Sequence, residues 1–286
     1  MTSVPDKELV WITGAGGLIG SYLVRTAPAA EFRVGGLTRA HFDLTDFDAL
    51  REAFRKNPPH VVVHCAAMSK SVACQANPGL ARLTNVEVTR VLADLAENIP
   101  LYFFSTDLVF DGRAGNYDES AQPNPLSVYA ATKVEAEKIV LQNPRHVVIR
   151  TSLNGGTSPS GDRGFNEEMR RAWQSGKALN LFVDEFRSPI AAQVTAKAVW
   201  ELIRKNGSGI FHIAGSERLS RFEIGKLVAE RWPQLHPKIV PGSLRDYVGA
   251  PRSPDTTLQC AKAQALLSFP LPGLSAWLRT HPDEVF

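Results

Sequence analysis

A tyrosine and a lysine stand four residues apart in Ser127-Val128-Tyr129-Ala130-Ala131-Thr132-Lys133. On a helix that spacing puts both side chains on one face. The chemistry open to such a pair is proton transfer to or from a carbonyl oxygen. A free tyrosine has a pKa of about 10, too high for efficient proton exchange at neutral pH. An ammonium beside it stabilises the phenolate, so Lys133 is expected to lower that value. The same ammonium could bind a cofactor ribose. A Tyr-x-x-x-Lys match also arises by chance on exposed helices, so the pair gains weight only beside a cofactor site.

Such a site has a candidate near the N-terminus. Thr13-Gly14-Ala15-Gly16-Gly17-Leu18-Ile19-Gly20 follows the apolar run Glu8-Leu-Val-Trp-Ile-Thr13 and opens a helix at Leu18. Strand, glycine turn, helix is the context a phosphate-binding turn requires. Glycine permits the tight turn and lets backbone approach a pyrophosphate, and the helix start offers unpaired N–H groups to the anion. The strict G-x-G-x-x-G spacing fails because Ile19 occupies its last position; Gly14, Gly17 and Gly20 fit G-x-x-G-x-x-G instead. A merely flexible glycine loop is the competing reading. Dinucleotide sites that take NAD usually carry an acidic residue at the end of the second strand. Here Gly35-Gly36-Leu37-Thr38-Arg39 stands there. Arg39 could neutralise a 2′-phosphate, which favours NADP(H) with NAD(H) possible, or it could be a solvated surface arginine. Asp43, in Asp43-Leu44-Thr45-Asp46, is a second candidate contact, to an adenine amino group; Asp46 could cap the next helix.

These residues need a scaffold. Strands are expected over Glu8–Thr13, Phe32–Thr38, His60–Cys65, Leu101–Ser105 and His146–Arg150. Helices are expected over Leu18–Thr26, Asp46–Lys56, Asn85–Asn98 and Val128–Leu141. Strands alternating with helices predict an α/β fold, a Rossmann-type doubly wound parallel sheet covered on both faces. After Arg150 the rhythm loosens, with Gly155 to Gly164 reading as a loop. Thr195–Arg204 and Arg221–Arg231 return as helices and Ile210–Ala214 as a strand. The expected division is a nucleotide-binding core over residues 1–150 and a smaller, mainly substrate-binding α/β lobe over 151–286. Some segments of the lobe would return to the core, and the substrate would lie between the two.

The remaining features mostly exclude. The 286 residues are 44% hydrophobic and 21% charged, with a net charge of +3, so no polyanionic partner is implied. No basic run suits nucleic acid, and no apolar run is long enough for a membrane span. Cys65, Cys74 and Cys260 form no CxxC pair, and the histidines show no metal-binding spacing, so no metal is expected. Met1 to Leu9 has no signal-peptide character, and a reducing cytoplasm is the expected location.

Several motifs together resemble the extended short-chain dehydrogenase/reductases, and within them the dTDP-4-dehydrorhamnose reductase group. They are the glycine turn, Asp43-Leu44-Thr45-Asp46, His64-Cys65-Ala66-Ala67, Asn85, Phe104-Ser105-Thr106-Asp107-Leu108-Val109-Phe110-Asp111-Gly112, Tyr129 to Glu137, and Arg150-Thr151-Ser152. The resemblance implies a sugar-nucleotide reductase in which Tyr129 is the general acid and Lys133 tunes it and holds the nicotinamide ribose. Thr106 would hydrogen-bond the carbonyl oxygen. Gly14, Gly17, Leu18, Ile19, Gly20, Leu44, Ala66 and Ala67 would lie along the cofactor. Ser69, Asp107 and the Ser152-Leu153-Asn154 turn would face the substrate. Arg187 and Arg252 would grip a pyrophosphate or form salt bridges. Leu153, Leu108 and Met68 stand where such reductases carry aromatic side chains, so the hydride chemistry is better defined than the substrate. The resemblance also implies a homodimer built through the Asn85–Asn98 and Val128–Leu141 helices. Two other readings are an epimerase or dehydratase of the same fold, and a cofactor-binding regulatory subunit without turnover.

Overall fold

The computed structural model describes residues 7–284. Its centre is a six-stranded, all-parallel sheet. Five strands come from the first 151 residues: β1 (Glu8–Thr13), β2 (Phe32–Leu37), β3 (Val61–His64), β4 (Leu101–Thr106) and β5 (Val147–Thr151). The sixth, Gly209–Ile213, joins the free edge of β5. Across the sheet the order is Gly209–Ile213, β5, β4, β3, β1, β2. The chain therefore runs outward from β1 to β2, then crosses back to β3 on the other side of β1. Beyond the carboxyl ends of β1 and β3 lies the crevice where such sheets bind ligands.

These strands are rich in valine, isoleucine and aromatic residues because both faces are covered. Alternate side chains point to opposite faces. Val10, Ile12, Val63, Tyr102, Phe104 and Ile149 join one core with Leu23 and with Ala196, Val199 and Trp200 of the Ala192–Arg204 helix. Leu9, Trp11, Val62, Phe103 and Val148 join the other, with Leu50, Leu92, Ala136 and Val140. One strand and one covering helix of this core thus come from beyond residue 150. A separate cluster of Phe165, Met169, Trp173, Ile224, Val228, Trp232 and Trp277 ties together the helices Phe165–Gln174, Arg221–Ala229 and Leu274–Thr280.

Most element ends fall within one to three residues of expectation, as capping explains. The Asp46 carboxylate accepts from Ala49 N (3.0 Å), so Asp46 caps the Phe47–Lys56 helix rather than beginning it. Ser127 does the same for Val128–Val140, through Ala130 N (3.2 Å). The helix expected to open at Asn85 differs more. Helical chain begins at Pro78 and passes through a π-turn at Leu83–Glu87 into Val88–Leu95, so Asn85 sits mid-segment.

Candidate active site

The glycine turn joins β1 to the Leu18–Arg25 helix in the crevice between β1 and β3. Gly14 has φ +67°, and a Cβ there would stand 2.7 Å from Ala66 N, on the chain leaving β3. A Cβ on Gly20 would stand 2.3 Å from Gly14 O. Backbone thus packs on backbone on both sides of the turn. Gly17 is the helix N-cap and supplies no side-chain acceptor, so the first-turn N–H groups keep an open end. Leu18 is buried and Ile19 half-buried beneath it. The crevice is stitched by Thr13 Oγ1, which lies 2.6 Å from His64 Nδ1 and accepts from Ala66 N (3.3 Å). Burial, reinforced by the Lys133 charge, drives the His64 pKa down to about 3, so His64 is a neutral strut. Arg39 and Asp43 lie exposed beyond the end of β2, with Leu44 tucked against the core. Asp43 Oδ1 accepts from the backbone and hydroxyl of Thr45 (2.9 and 2.8 Å). Those bonds, with a smaller contribution from Arg39, lower its pKa. A crease that any Cβ would fill, an uncapped helix start and an exposed cation at its outer end fit a dinucleotide.

The Val128–Val140 helix points Tyr129, Lys133 and Glu137 along one face toward the carboxyl end of β4. All three are buried. Glu137 is fixed by Arg150 (Nη2 to Oε2, 2.7 Å; Nε to Oε1, 3.0 Å) and by the Ser105 hydroxyl (2.5 Å). The Lys133 ammonium lies 3.9 Å from the Phe103 ring centroid. Burial lowers its pKa to about 7, against the upward pull of Glu137 and Cys65. The Tyr129 phenol behaves differently from expectation. Burial and the charge of Asp107 push its pKa up, outweighing a hydrogen bond with Thr106 and the charge of Arg187. Lys133 does not enter that balance; its ammonium is turned onto Phe103 instead. Tyr129 is therefore held firmly protonated. Thr106, 7% exposed, ends β4 beside it, its hydroxyl donating to Asp107 Oδ1 (3.2 Å) and accepting from Leu108 N (3.2 Å).

Two side chains hold this arrangement and were not singled out for a role by spacing. One is Glu137. The other is Asn85, 1% exposed in the π-turn, where an extra residue per turn re-aims a side chain. Its amide accepts from Met68 N (2.8 Å) and donates to Met68 O (3.1 Å) and Thr132 Oγ1 (3.0 Å). Asn85 so clamps the strand-end segment Ala66-Ala67-Met68 to the helix that carries Tyr129.

Beside Tyr129 opens a cleft lined by Leu108, Leu126, Ser127, Glu185, Arg187, Tyr247 and Arg252 among others. Several residues expected to face a substrate are already engaged. Asp107 is fully buried and receives Arg187 Nε (2.7 Å) and Nη2 (2.5 Å), Ser152 Oγ (2.6 Å) and Thr256 Oγ1 (3.2 Å). Arg187 spends its fork on Asp107 and leaves Nη1 3.9 Å from Glu185. Arg252 donates in bidentate fashion to Glu185 (2.8 and 2.9 Å) while keeping one third of its side chain exposed. Asn154 gives both donors to Thr151 Oγ1 and Ser152 O and accepts from Thr195. Leu153 packs against the separate cluster around Phe165, Trp173 and Trp277. For Asp107, Arg187, Leu153 and Asn154 the structure thus finds packing and polar satisfaction within the chain, because buried polar groups must be paired. Ser69 is exposed after Met68. Among the described residues no cluster of histidine, cysteine, aspartate or glutamate could hold a metal ion, and no helix is long and apolar enough to cross a membrane.

A parallel sheet with a glycine turn at its crossover point, and a buried Thr/Tyr/Lys set at the neighbouring strand end, define an NAD(P)-dependent oxidoreductase of the extended short-chain dehydrogenase/reductase type. The chain belongs to the family described as the RmlD substrate binding domain, which matches residues 8–284. Among solved structures it is similar to dTDP-4-dehydrorhamnose reductase from Bacillus anthracis in complex with NADP, with a TM-score of 0.88 and 24% identity over 96% of this chain and 98% of that one. It is 29% identical to the probable low-salt glycan biosynthesis reductase Agl14 of Haloferax volcanii, over 77% of this chain and 79% of the relative. It is equally 29% identical to methionine adenosyltransferase 2 subunit beta of Xenopus laevis, over 92% of this chain and 84% of the relative.

Proposed function

We propose that this protein is an NADP(H)-dependent reductase of a keto group carried on a nucleotide-activated sugar. The observation that carries the reading is the convergence of Thr106, Tyr129 and Lys133 beside the crevice that begins at Gly14. The N–H groups of Leu18, Ile19 and Gly20 would hold the cofactor pyrophosphate, with the Gly17 N–H closing the turn onto Gly14 O (2.8 Å). Gly14, Ala66 and Ala67 would line its path. Arg39 would take the 2′-phosphate, with Asp43 and Leu44 at the adenine. When bound, the reduced nicotinamide supplies hydride. The chain's own part is the proton and the geometry. Tyr129, held protonated by burial, donates to the developing alkoxide, and Thr106 orients the carbonyl oxygen. Lys133, one turn along, would hold the ribose hydroxyls. Ser69 and Arg252 would border the substrate, while Asp107, Arg187, Leu153 and Asn154 support the cleft from behind.

The similarity to dTDP-4-dehydrorhamnose reductases and to the glycan biosynthesis reductase supports the substrate class. A homodimer through the helices flanking Asn85 and Tyr129, working in the cytoplasm, belongs to the same proposal. The test is consumption of NADPH with a panel of keto sugar nucleotides; a product carrying label from deuterated nicotinamide would establish the hydride step. A regulatory, non-catalytic reading is favoured by the similarity to methionine adenosyltransferase 2 subunit beta. It predicts cofactor binding without turnover on any member of the panel.

A further inference from the structure

Behind Ala66 and Met68 runs a buried line of hydrogen bonds whose direction follows proton by proton. The Asn85 backbone oxygen accepts from the Thr89 hydroxyl (2.8 Å), one turn further along the same helical segment. A hydroxyl has one proton and a carbonyl can only accept, so that proton is committed. Thr89 Oγ1 also lies 3.1 Å from His64 Nε2. It must accept there, so Nε2 carries the hydrogen. Across the ring, His64 Nδ1 lies 2.6 Å from Thr13 Oγ1, which accepts from Ala66 N (3.3 Å). The His64 ring packs on Phe103, with centroids 5.7 Å apart, and the Lys133 ammonium rests on the same Phe103 ring. A second buried cation would face Lys133 there, and among the described residues no carboxylate bonds to His64. The ring is therefore neutral, and Nδ1 accepts from the Thr13 hydroxyl. Ala66 N–H thus donates to Thr13, Thr13 to His64, His64 to Thr89 and Thr89 to Asn85 O. The Asn85 side chain carries the line on to Met68 and to Thr132, whose own hydroxyl donates to Tyr129 O (2.7 Å). Thr13, His64, Thr89, Asn85 and Thr132 are each 6% exposed or less.

Each link runs one way, so no member can turn without leaving a buried polar group unpaired. Thr13 and His64 are register partners on β1 and β3, the strands that flank the crevice. From them the line reaches the two helical segments that carry Asn85 and Tyr129. A threonine hydroxyl that bonds back four residues often bends a helix, and Thr89 does so where the Leu83–Glu87 π-turn runs out into Val88–Leu95. The His64 Nε2–H fixes which way that hydroxyl points. We propose that His64 is a positioning residue: by donating to Thr89 it holds Asn85 and the π-turn in place, and so sets Ala66-Ala67-Met68 against the helix that carries Tyr129. The inference rests on the reductase reading for what is positioned, the cofactor path against the proton donor. It goes beyond that reading in giving a role and a tautomer to a histidine that meets neither the cofactor nor the carbonyl.

The experiment uses nitrogen-15-labelled protein as wild type, Thr89→Val and Thr89→Ser. Valine keeps the shape of threonine and removes the hydroxyl; serine keeps the hydroxyl. Two-bond proton–nitrogen spectra read the His64 tautomer, and the wild type is expected to show Nε2–H. Native-state hydrogen exchange then follows the Met68 amide, which Asn85 holds, with the Val148 amide on β5 reporting general loss of stability. Thr89→Val should speed exchange at Met68 by about tenfold to a hundredfold beyond any change at Val148, the scale of a buried group left unpaired. Thr89→Ser should exchange like the wild type. His64→Phe, which keeps a ring against Phe103 and removes both nitrogens, should show the same local loss as Thr89→Val. In NADPH consumption the loss in Thr89→Val should fall on kcat, by about tenfold to a hundredfold, with KM for NADPH held. The spectra and the exchange need neither cofactor nor substrate. A separate NADPH titration reports the crevice, so failure of the reductase reading shows there and not in the His64 measurements. The proposal is overturned if wild-type His64 carries its hydrogen on Nδ1, if Met68 and Val148 speed up equally in Thr89→Val, if the Ser and Val variants are equally impaired, or if Thr89→Val keeps the wild-type kcat.

Discussion

Replacing Gly14 by alanine tests the cofactor crevice, and Gly161 supplies an internal control. Both glycines have nearly the same backbone, φ +67° and +68°. Any L-residue there pays for left-handed geometry, about 1–2 kcal/mol. Their surroundings differ. A Cβ on Gly161 meets nothing within 4 Å, whereas on Gly14 it meets Ala66 N at 2.7 Å, Ala66 Cα at 2.9 Å and the Cys65 carbonyl carbon at 3.0 Å. All three are backbone atoms at the end of a central strand, tied in place by Thr13 and, through Met68, by Asn85. They cannot rotate away as a side chain would, so overpacking adds about 1–3 kcal/mol at Gly14 alone. Urea unfolding should show Gly161→Ala destabilised by the conformational cost and Gly14→Ala by about 2–5 kcal/mol, the sum of the two costs. Because the collision pushes β1 and β3 apart where a pyrophosphate would lie, Gly14→Ala should also lose NADPH affinity, and Gly161→Ala should not. Equal unfolding midpoints for the two variants, or wild-type NADPH binding by Gly14→Ala, would refute the packing argument.

Arg39→Ala should weaken NADPH far more than NADH in parallel titrations; equal effects would remove the role given to Arg39 at a 2′-phosphate. Lys133 supplies a pH prediction for the protein without cofactor. Its pKa is about 7 when folded against an ordinary 10.5, so between those values the unfolded chain binds a proton that the folded chain does not. The cost of burying the ammonium is fully present below the folded value and is relieved as pH rises toward the unfolded one. Stability of the wild type relative to Lys133→Met should therefore be flat below pH about 6 and climb between about 7 and 9. A difference that stays constant or falls over that interval, read from urea midpoints, would contradict the burial assigned to Lys133.

Much of the scaffold was legible because its signals are local. Buried parallel strands are short apolar runs, glycines mark backbone that must approach backbone, and Ser127 and Asp46 precede their helices as caps. Tyr129 and Lys133 share a face for the same local reason, and extending that spacing one turn further reaches Glu137. What could not be read depends on contacts between distant segments. Asp107 and Arg187 are 80 residues apart, so nothing in their neighbourhoods announces that each satisfies the other. The upward push on the Tyr129 phenol follows from burial and Asp107, which spacing to Lys133 does not report. Asn85 was visible as a polar residue at a helix start, yet its role comes from a π-turn that no periodicity showed. Arg221 follows Ser220 in an ordinary capping box, Ser220 with Glu223, and only the fold brings its backbone N–H to Glu185 O (2.9 Å).

The most direct test of the central claim is NADPH consumption with a keto sugar nucleotide, compared between the wild type and Tyr129→Phe at matched cofactor saturation. Phenylalanine fills the same buried space and removes only the proton donor. Turnover in the wild type, falling by about a hundredfold to ten-thousandfold in Tyr129→Phe with NADPH affinity unchanged, is the predicted result. Undiminished turnover in Tyr129→Phe, or cofactor binding by the wild type with no turnover on any keto sugar nucleotide, would contradict it.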